Sequence, residues 1–114
     1  MHELSIAKNI VEIIKESVEE NDLRSIERVV LKVGELSGVV PDSLQFSLEA
    51  ISTGTELESA KYEMKRIPFT IKCKVCGNVS DNELGIVKCP VCGSKDTEVV
   101  SGNELLISEI ILKN

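Results

Sequence analysis

Near the start of the chain, apolar residues recur at helical spacing. Ile6, Ile10, Ile13, Ile14 and Val18 form one stripe, with Lys8, Glu12, Lys15 and Glu19 opposite. This predicts a helix from Glu3 to about Asn21. From Arg28 to Leu36 the pattern predicts a strand, with Val29, Leu31 and Val33 pointing one way. Gly34 and Gly38 punctuate the turn that follows. Pro41 suits the first turn of a second helix, whose buried stripe is Leu44, Leu48 and Ile51 and whose end is marked by Gly54. A second strand is expected from about Glu58 to Arg66, where Ala60, Tyr62 and Met64 alternate with Lys61, Glu63 and Lys65.

The pattern changes character at Ile67-Pro68. The stretch from there to about Gly102 carries all four cysteines and two of the three prolines. After it, Leu105, Leu106, Ile107, Ile110, Ile111 and Leu112 are apolar on both faces of a strand, which predicts a place in the middle of a covered sheet. The expected fold class is therefore α+β: a small sheet of about three strands packed against two helices, with an inserted four-cysteine zinc ribbon module. Residues 1–66 plus 103–114 would form one domain and residues 67–102 the other.

Composition narrows the partners. The net charge is −6, from 19 acidic and 13 basic residues, which disfavours phosphate backbones and anionic lipid. No apolar run approaches the roughly 18 residues of a membrane span, and Met1-His2-Glu3-Leu4-Ser5 lacks the layout of a signal peptide. The expected compartment is the cytoplasm. It is reducing, so the four cysteines point to metal rather than disulfides. With three aromatic residues and no Trp, the core is expected to be aliphatic, and a metal cross-link would supplement it.

Cys73-Lys74-Val75-Cys76-Gly77 and Cys89-Pro90-Val91-Cys92-Gly93 are two C-x-x-C-G knuckles, with 12 residues between Cys76 and Cys89. Each can place two thiolates on one metal, and together they offer the tetrahedral sulfur set that suits zinc. Iron in a rubredoxin-like electron-transfer site would use the same ligands and stays open here. Because protein fills all four positions, the metal would be structural, not catalytic. A zinc-ribbon adaptor for nucleic acid is the other alternative. It is disfavoured, because Lys72, Lys74, Lys88 and Lys95 are offset by Asp81, Glu83, Asp96 and Glu98, and only Phe69 could stack on a base. No nucleophile–base pair or phosphate-cradling glycine loop can be assembled, so the chain is not expected to be an enzyme.

The single histidine is His2. A bulky second residue usually keeps the initiator methionine in place, which would leave Met1 a free α-amine. That amine, the His2 backbone nitrogen and the His2 imidazole can close two fused chelate rings. Nitrogen-rich, nearly planar donation suits Ni(II) or Cu(II). Glu3 is adjacent and could add a carboxylate.

Met1-His2-Glu3-Leu4-Ser5, the strand-turn Val33-Gly34-Glu35-Leu36-Ser37 and the paired knuckles together resemble the HypA/HybF family of hydrogenase maturation factors, in order and over essentially the whole chain. The resemblance implies a nickel metallochaperone: Met1, His2 and Glu3 match the family's nickel end, and Cys73, Cys76, Cys89 and Cys92 match its zinc site. It further implies transferable Ni(II), structural Zn(II), delivery to the large subunit of a nickel–iron hydrogenase, cooperation with the GTPase HypB and, in some members, a contribution to urease maturation. Some members bring a second histidine to the nickel from near the zinc module, and this chain has none. Glu98 lies in that region and is not assigned. Asp42 matches a further oxygen donor by loose position only, and its preferred reading is a charge favourable to the helix start.

Overall fold

A computed structural model describes residues 3–113. The elements run α1 (Glu3–Ser17), a short 3-10 helix (Glu20–Ser25), β1 (Ile26–Gly34), α2 (Pro41–Ser52), β2 (Lys61–Ile67), β3 (Thr70–Cys73), β4 (Val79–Asp81), β5 (Thr97–Ser101) and β6 (Leu105–Leu112). They form two three-stranded sheets, ordered β2-β1-β6 and β4-β3-β5. This is the α+β class expected from the sequence. The chain divides into two compact units, one of residues up to Lys32 with Val39–Lys65 and the segment from Leu106, the other of Val33–Gly38 with Arg66–Leu105.

In the first unit α1 and α2 pack against each other. The buried residues of α1 are Ile6, Ala7, Ile10 and Ile14, and those of α2 are Leu44, Leu48 and Ser52. Ile13 and Val18 were expected on the α1 stripe. Ile13 is instead 49% exposed, because Ala7 completes a stripe one residue round from it. Val29 and Leu31 of β1 are both fully buried. The buried Ser52 hydroxyl bonds the Tyr62 hydroxyl at 2.7 Å, and the Gln45 Nε2 donates to the Tyr62 carbonyl at 3.1 Å. These two contacts tie α2 to β2 and leave no buried polar atom without a partner among the described side chains.

Two expectations are corrected. The core is not purely aliphatic, because Tyr62 and Phe69 are both 3% exposed; the remaining aromatic, Phe46, stands 73% exposed on α2. And β6 is not the middle strand. That place belongs to β1, which buries Val29, Val30 and Leu31 in succession and so has cover on both faces. β6 lies at the edge, and its residues are exposed or intermediate throughout. Apolar residues on both faces show that a strand could be covered; which strand is covered depends on its neighbours.

The second unit is organised by β3. It pairs antiparallel with β4 (Ile71 opposite Ser80) and with β5 (Lys72 opposite Glu98), with an irregularity between Thr70 and Ile71. Residues 33–38 fall in this unit rather than with the helices because backbone bonds hold them there: Glu35 N–H to the Ile67 carbonyl and Leu36 N–H to the Gly102 carbonyl, each 2.9 Å. Gly34 lies so close to Gly102 that a Cβ on it would stand 2.1 Å from the Gly102 oxygen. Only glycine fits there.

Two residues of α2 give opposite expectations. Leu48→Ala should cost about 2–5 kcal/mol, since the site is fully buried. Phe46→Ala should change stability by no more than about 0.5 kcal/mol. Urea denaturation followed by the helical signal measures both, and equal losses would contradict the assigned packing.

Candidate metal centre

The two knuckles are built alike. In the first, Cys73 closes β3, its N–H donates to the Asn78 carbonyl at 2.8 Å, and the Gly77 N–H returns to the Cys73 carbonyl at 3.0 Å. In the second, the Cys89 N–H donates to Ser94 at 2.9 Å and the Gly93 N–H to Cys89 at 3.0 Å. Both turns need a left-handed residue at the same place, and Gly77 and Gly93 supply it with φ of 77° and 76°. The segment between the knuckles is held by Asn82, whose side chain accepts from the Leu84 and Ile86 N–H groups and donates to the Ile86 carbonyl.

These turns bring the four sulfurs together. Cys73 and Cys92 are 3.5 Å apart, Cys76 and Cys89 3.6 Å, and all four Sγ atoms lie within 4.8 Å of one another. Sulfurs at about 2.3 Å from a central zinc would stand about 3.8 Å apart at tetrahedral corners. The cluster therefore fits such an ion. Each close pair takes one cysteine from each knuckle, so a metal here would cross-link the two turns.

The protein's own amides already favour negative charge at two of the four sulfurs. The Cys92 N–H directed at Cys89, joined by that of Val91, overcomes desolvation and lowers the Cys89 thiol to about 6. The Cys76 N–H, 3.4 Å from the Cys73 sulfur, likewise lowers Cys73. For Cys76 the Asn78 amide favours the thiolate, but desolvation and the neighbouring sulfurs outweigh it and push the thiol up to about 12. For Cys92 the Ser94 amide is outweighed by the Cys73 sulfur and desolvation, and the thiol is raised. A dication removes that mutual penalty by binding all four as thiolates.

The other expected site falls at the start of the chain. Met1 and His2 lie outside the described residues, and Glu3 is the first residue of α1. Glu3 and Leu4 line a surface groove of about 460 Å³ together with Asp42, Ser43, Phe46 and Ser47 from the start of α2. The packing of α1 on α2 thus brings Glu3 and Asp42 to one groove. The sequence reading preferred Asp42 as a helix-start charge, because nothing in the linear order links position 3 to position 42. Glu98 lines no part of this groove.

Residues 1–112 match the family model described as hydrogenase/urease nickel incorporation, metallochaperone, hypA. The chain belongs to the HypA family. It is 42% identical over 110 residues to hydrogenase maturation factor HypA of Geobacter sulfurreducens, covering 96% of this chain and 97% of that one. It is 34% identical over 113 residues to the factor of the same name from Aquifex aeolicus, covering 99% and 98%. Among solved structures it resembles the solution structure of the Ni metallochaperone HypA from Helicobacter pylori, with a TM-score of 0.66 and 25% identity over 99% of this chain and 98% of that one. The resemblance drawn from the terminal Met-His-Glu and the knuckles is thus the family found. A HypA protein is a nickel-incorporation metallochaperone for hydrogenase maturation and not an enzyme. No helix among the described residues is long and apolar enough to cross a membrane.

Metal binding at the four cysteines should release a pH-dependent number of protons. At pH 8 Cys89 is already a thiolate whereas Cys76 still holds its proton, so fewer than four protons should leave, that of Cys76 among them. Below about pH 6 Cys89 is protonated as well, more protons must leave, and affinity should fall more steeply with acidification. Zinc calorimetry in buffers of differing ionisation enthalpy counts them. Four protons released at every pH would contradict the lowered Cys89 thiol.

Proposed function

We propose that this chain binds Ni(II) at its N-terminus through Met1, His2 and Glu3 and delivers it to the large subunit of a nickel–iron hydrogenase. In the same proposal Zn(II) is held permanently by Cys73, Cys76, Cys89 and Cys92, where it fixes the ribbon and takes no part in transfer. The observation that carries the nickel reading is the groove shared by Glu3 and Asp42. It adds a second carboxylate, from a different helix, to the donors at the chain start. The Met1 α-amine, the His2 amide nitrogen and the His2 imidazole supply nitrogen, and Glu3 or Asp42 supplies oxygen, a set suited to Ni(II).

The division of labour follows from enclosure. Cys73 and Cys89 are buried and Cys76 and Cys92 exposed, but a metal with four thiolates has no open position. The groove at Glu3 and Asp42 is open, so a partner's donors can replace the chain's own one at a time. Energy for the exchange would come from outside this chain, and the GTPase HypB is the proposed source. Urease maturation proteins are a second set of proposed partners, and the cytoplasm is the proposed compartment. The rubredoxin-like and adaptor readings give the chain start no role. The family's role is nickel incorporation.

His2→Ala should abolish stoichiometric Ni(II) binding while leaving zinc content and helical signal unchanged. Asp42→Asn should weaken nickel about tenfold or more, whereas Glu98→Gln should not. Nickel titration with zinc quantified in the same samples reads all three. Parental affinity in the His2 variant would remove the basis of the proposal.

If the α-amine and the His2 amide nitrogen both coordinate, nickel binding must expel protons. The reference amine pKa near 8 and imidazole pKa near 6.5 then make affinity rise from about pH 6 to pH 8. Adding one residue before Met1 should weaken nickel binding and stop delivery to the hydrogenase, with zinc untouched. Calorimetry on native and extended chains, at several pH values, tests the chelate. Equal affinities would sink it even if His2 proved essential.

A further inference from the structure

The four cysteines differ in access. Cys73 and Cys89 are buried, whereas Cys76 and Cys92 are exposed, so each knuckle begins on a sheltered sulfur and ends on an open one. The two close contacts cross between the knuckles and join unlike members. Exposed Cys92 lies 3.5 Å from buried Cys73, and exposed Cys76 lies 3.6 Å from buried Cys89. A structural cross-link requires only that four sulfurs converge. It does not require each open sulfur to face a sheltered partner on the opposite turn.

We propose that this pairing makes the centre a site of reversible oxidation by hydroperoxides, which closes it as two disulfides, Cys73–Cys92 and Cys76–Cys89. The proposal rests on the zinc reading of the same four thiolates. Oxidation of cysteine follows thiolate character and exposure, so hydrogen peroxide meets Cys76 or Cys92 first. The sulfur attacks one peroxide oxygen, the O–O bond breaks and hydroxide leaves, giving a sulfenic acid. The buried thiolate opposite then attacks that sulfur, the S–O bond breaks and a second hydroxide leaves, giving the disulfide. Each pair of sulfurs loses two electrons, and the peroxide gains them. The S–S bond, roughly 2.05 Å long, shortens each contact by about 1.5 Å.

The first disulfide leaves the metal two thiolates, too few to enclose it, so zinc departs and the freed pair oxidises in the same way. Which sulfurs join decides what happens to the fold. Apart from the cysteines, the unit's buried apolar residues are Val33, Phe69 and Ile71. Disulfides within the knuckles would leave the two turns unconnected. Disulfides across them replace the cross-link that zinc supplied. The oxidised unit therefore keeps its turns together and recovers its metal once a thiol reductant opens the two bonds.

The test treats the full zinc-loaded chain with hydrogen peroxide, alkylates the remaining thiols and maps the disulfides after trypsin. Cleavage after Lys72, Lys74, Lys88 and Lys95 yields peptides 73–74, 75–88 and 89–95. The crossed disulfides should join all three as one species. Fragmenting it before Pro90 should find Cys89 bound to Cys76 and Cys92 bound to Cys73. Zinc should be lost as the thiols disappear and should return after reduction with a dithiol. With peroxide scarce, the sulfenic-acid trap dimedone should mark Cys76 and Cys92. Disulfides within the knuckles, which close peptide 89–95 on itself, would overturn the proposal. So would zinc retained under excess peroxide, or dimedone found chiefly on Cys73 and Cys89. Metal analysis before treatment checks the zinc reading separately, because the disulfide map is read whichever metal the centre holds.

Discussion

The cysteine-bearing unit depends on the convergence of four sulfurs. Its buried apolar residues are few, chiefly Val33, Phe69 and Ile71, with Cys73 and Cys89 themselves. Val75, Val79, Leu84, Ile86, Val87, Val91, Val99 and Val100 are all at least 46% exposed. Units of this size rarely bury enough surface to fold by that means alone. A metal at the four thiolates contributes on the order of 10 kcal/mol, more than the missing core could. The backbone suits it, since each knuckle closes on its own amide bonds and the Cys76 N–H is directed at the Cys73 sulfur.

The helical unit obeys a different constraint. Its stability lies in the fully buried side chains Ile14, Leu44, Leu48, Val29 and Leu31, and none of these is a metal ligand candidate. Packing α1 on α2 has a second consequence, because helix starts come together with helix faces. Glu3 and Asp42 reach one groove because α1 packs on α2. A binding groove so made is as rigid as the helix pair beneath it, whatever metal the cysteines hold.

Features set by local spacing were legible in the sequence. The knuckles, the Pro41 helix start, the alternation of Ala60, Tyr62 and Met64, and the family's terminal motif all depend on residues close together in the chain. Features set by tertiary neighbours were not. The edge position of β6 depends on which strand β1 accepts on each side, and Asp42 depends on how two helices cross. The burial of Tyr62 and Phe69 was hidden too, since the sequence led to an aliphatic core, whereas Phe46 lies off the Leu44 and Leu48 stripe and stands exposed at the groove. The place of residues 33–38 was hidden for the same reason, since the bonds to Ile67 and Gly102 span more than 30 and more than 60 positions.

In the proposed function two metals share one small chain, which poses a problem of selectivity that the two proposed donor sets would answer. Thiolates are the stronger ligands for nickel as well as zinc, so exposed cysteines would compete for the cargo. Here the sulfurs are gathered in pairs that span both knuckles, and a metal bound there would saturate every one. What remains for a second ion is nitrogen at the chain start and carboxylate oxygen in the groove. Such a set holds Ni(II) less tightly than four sulfurs would, and that weakness serves transfer. A protein that must surrender its metal needs donors that protons and partner ligands can displace singly. Carboxylates fixed by two packed helices meet that need, because they keep their place while the metal leaves.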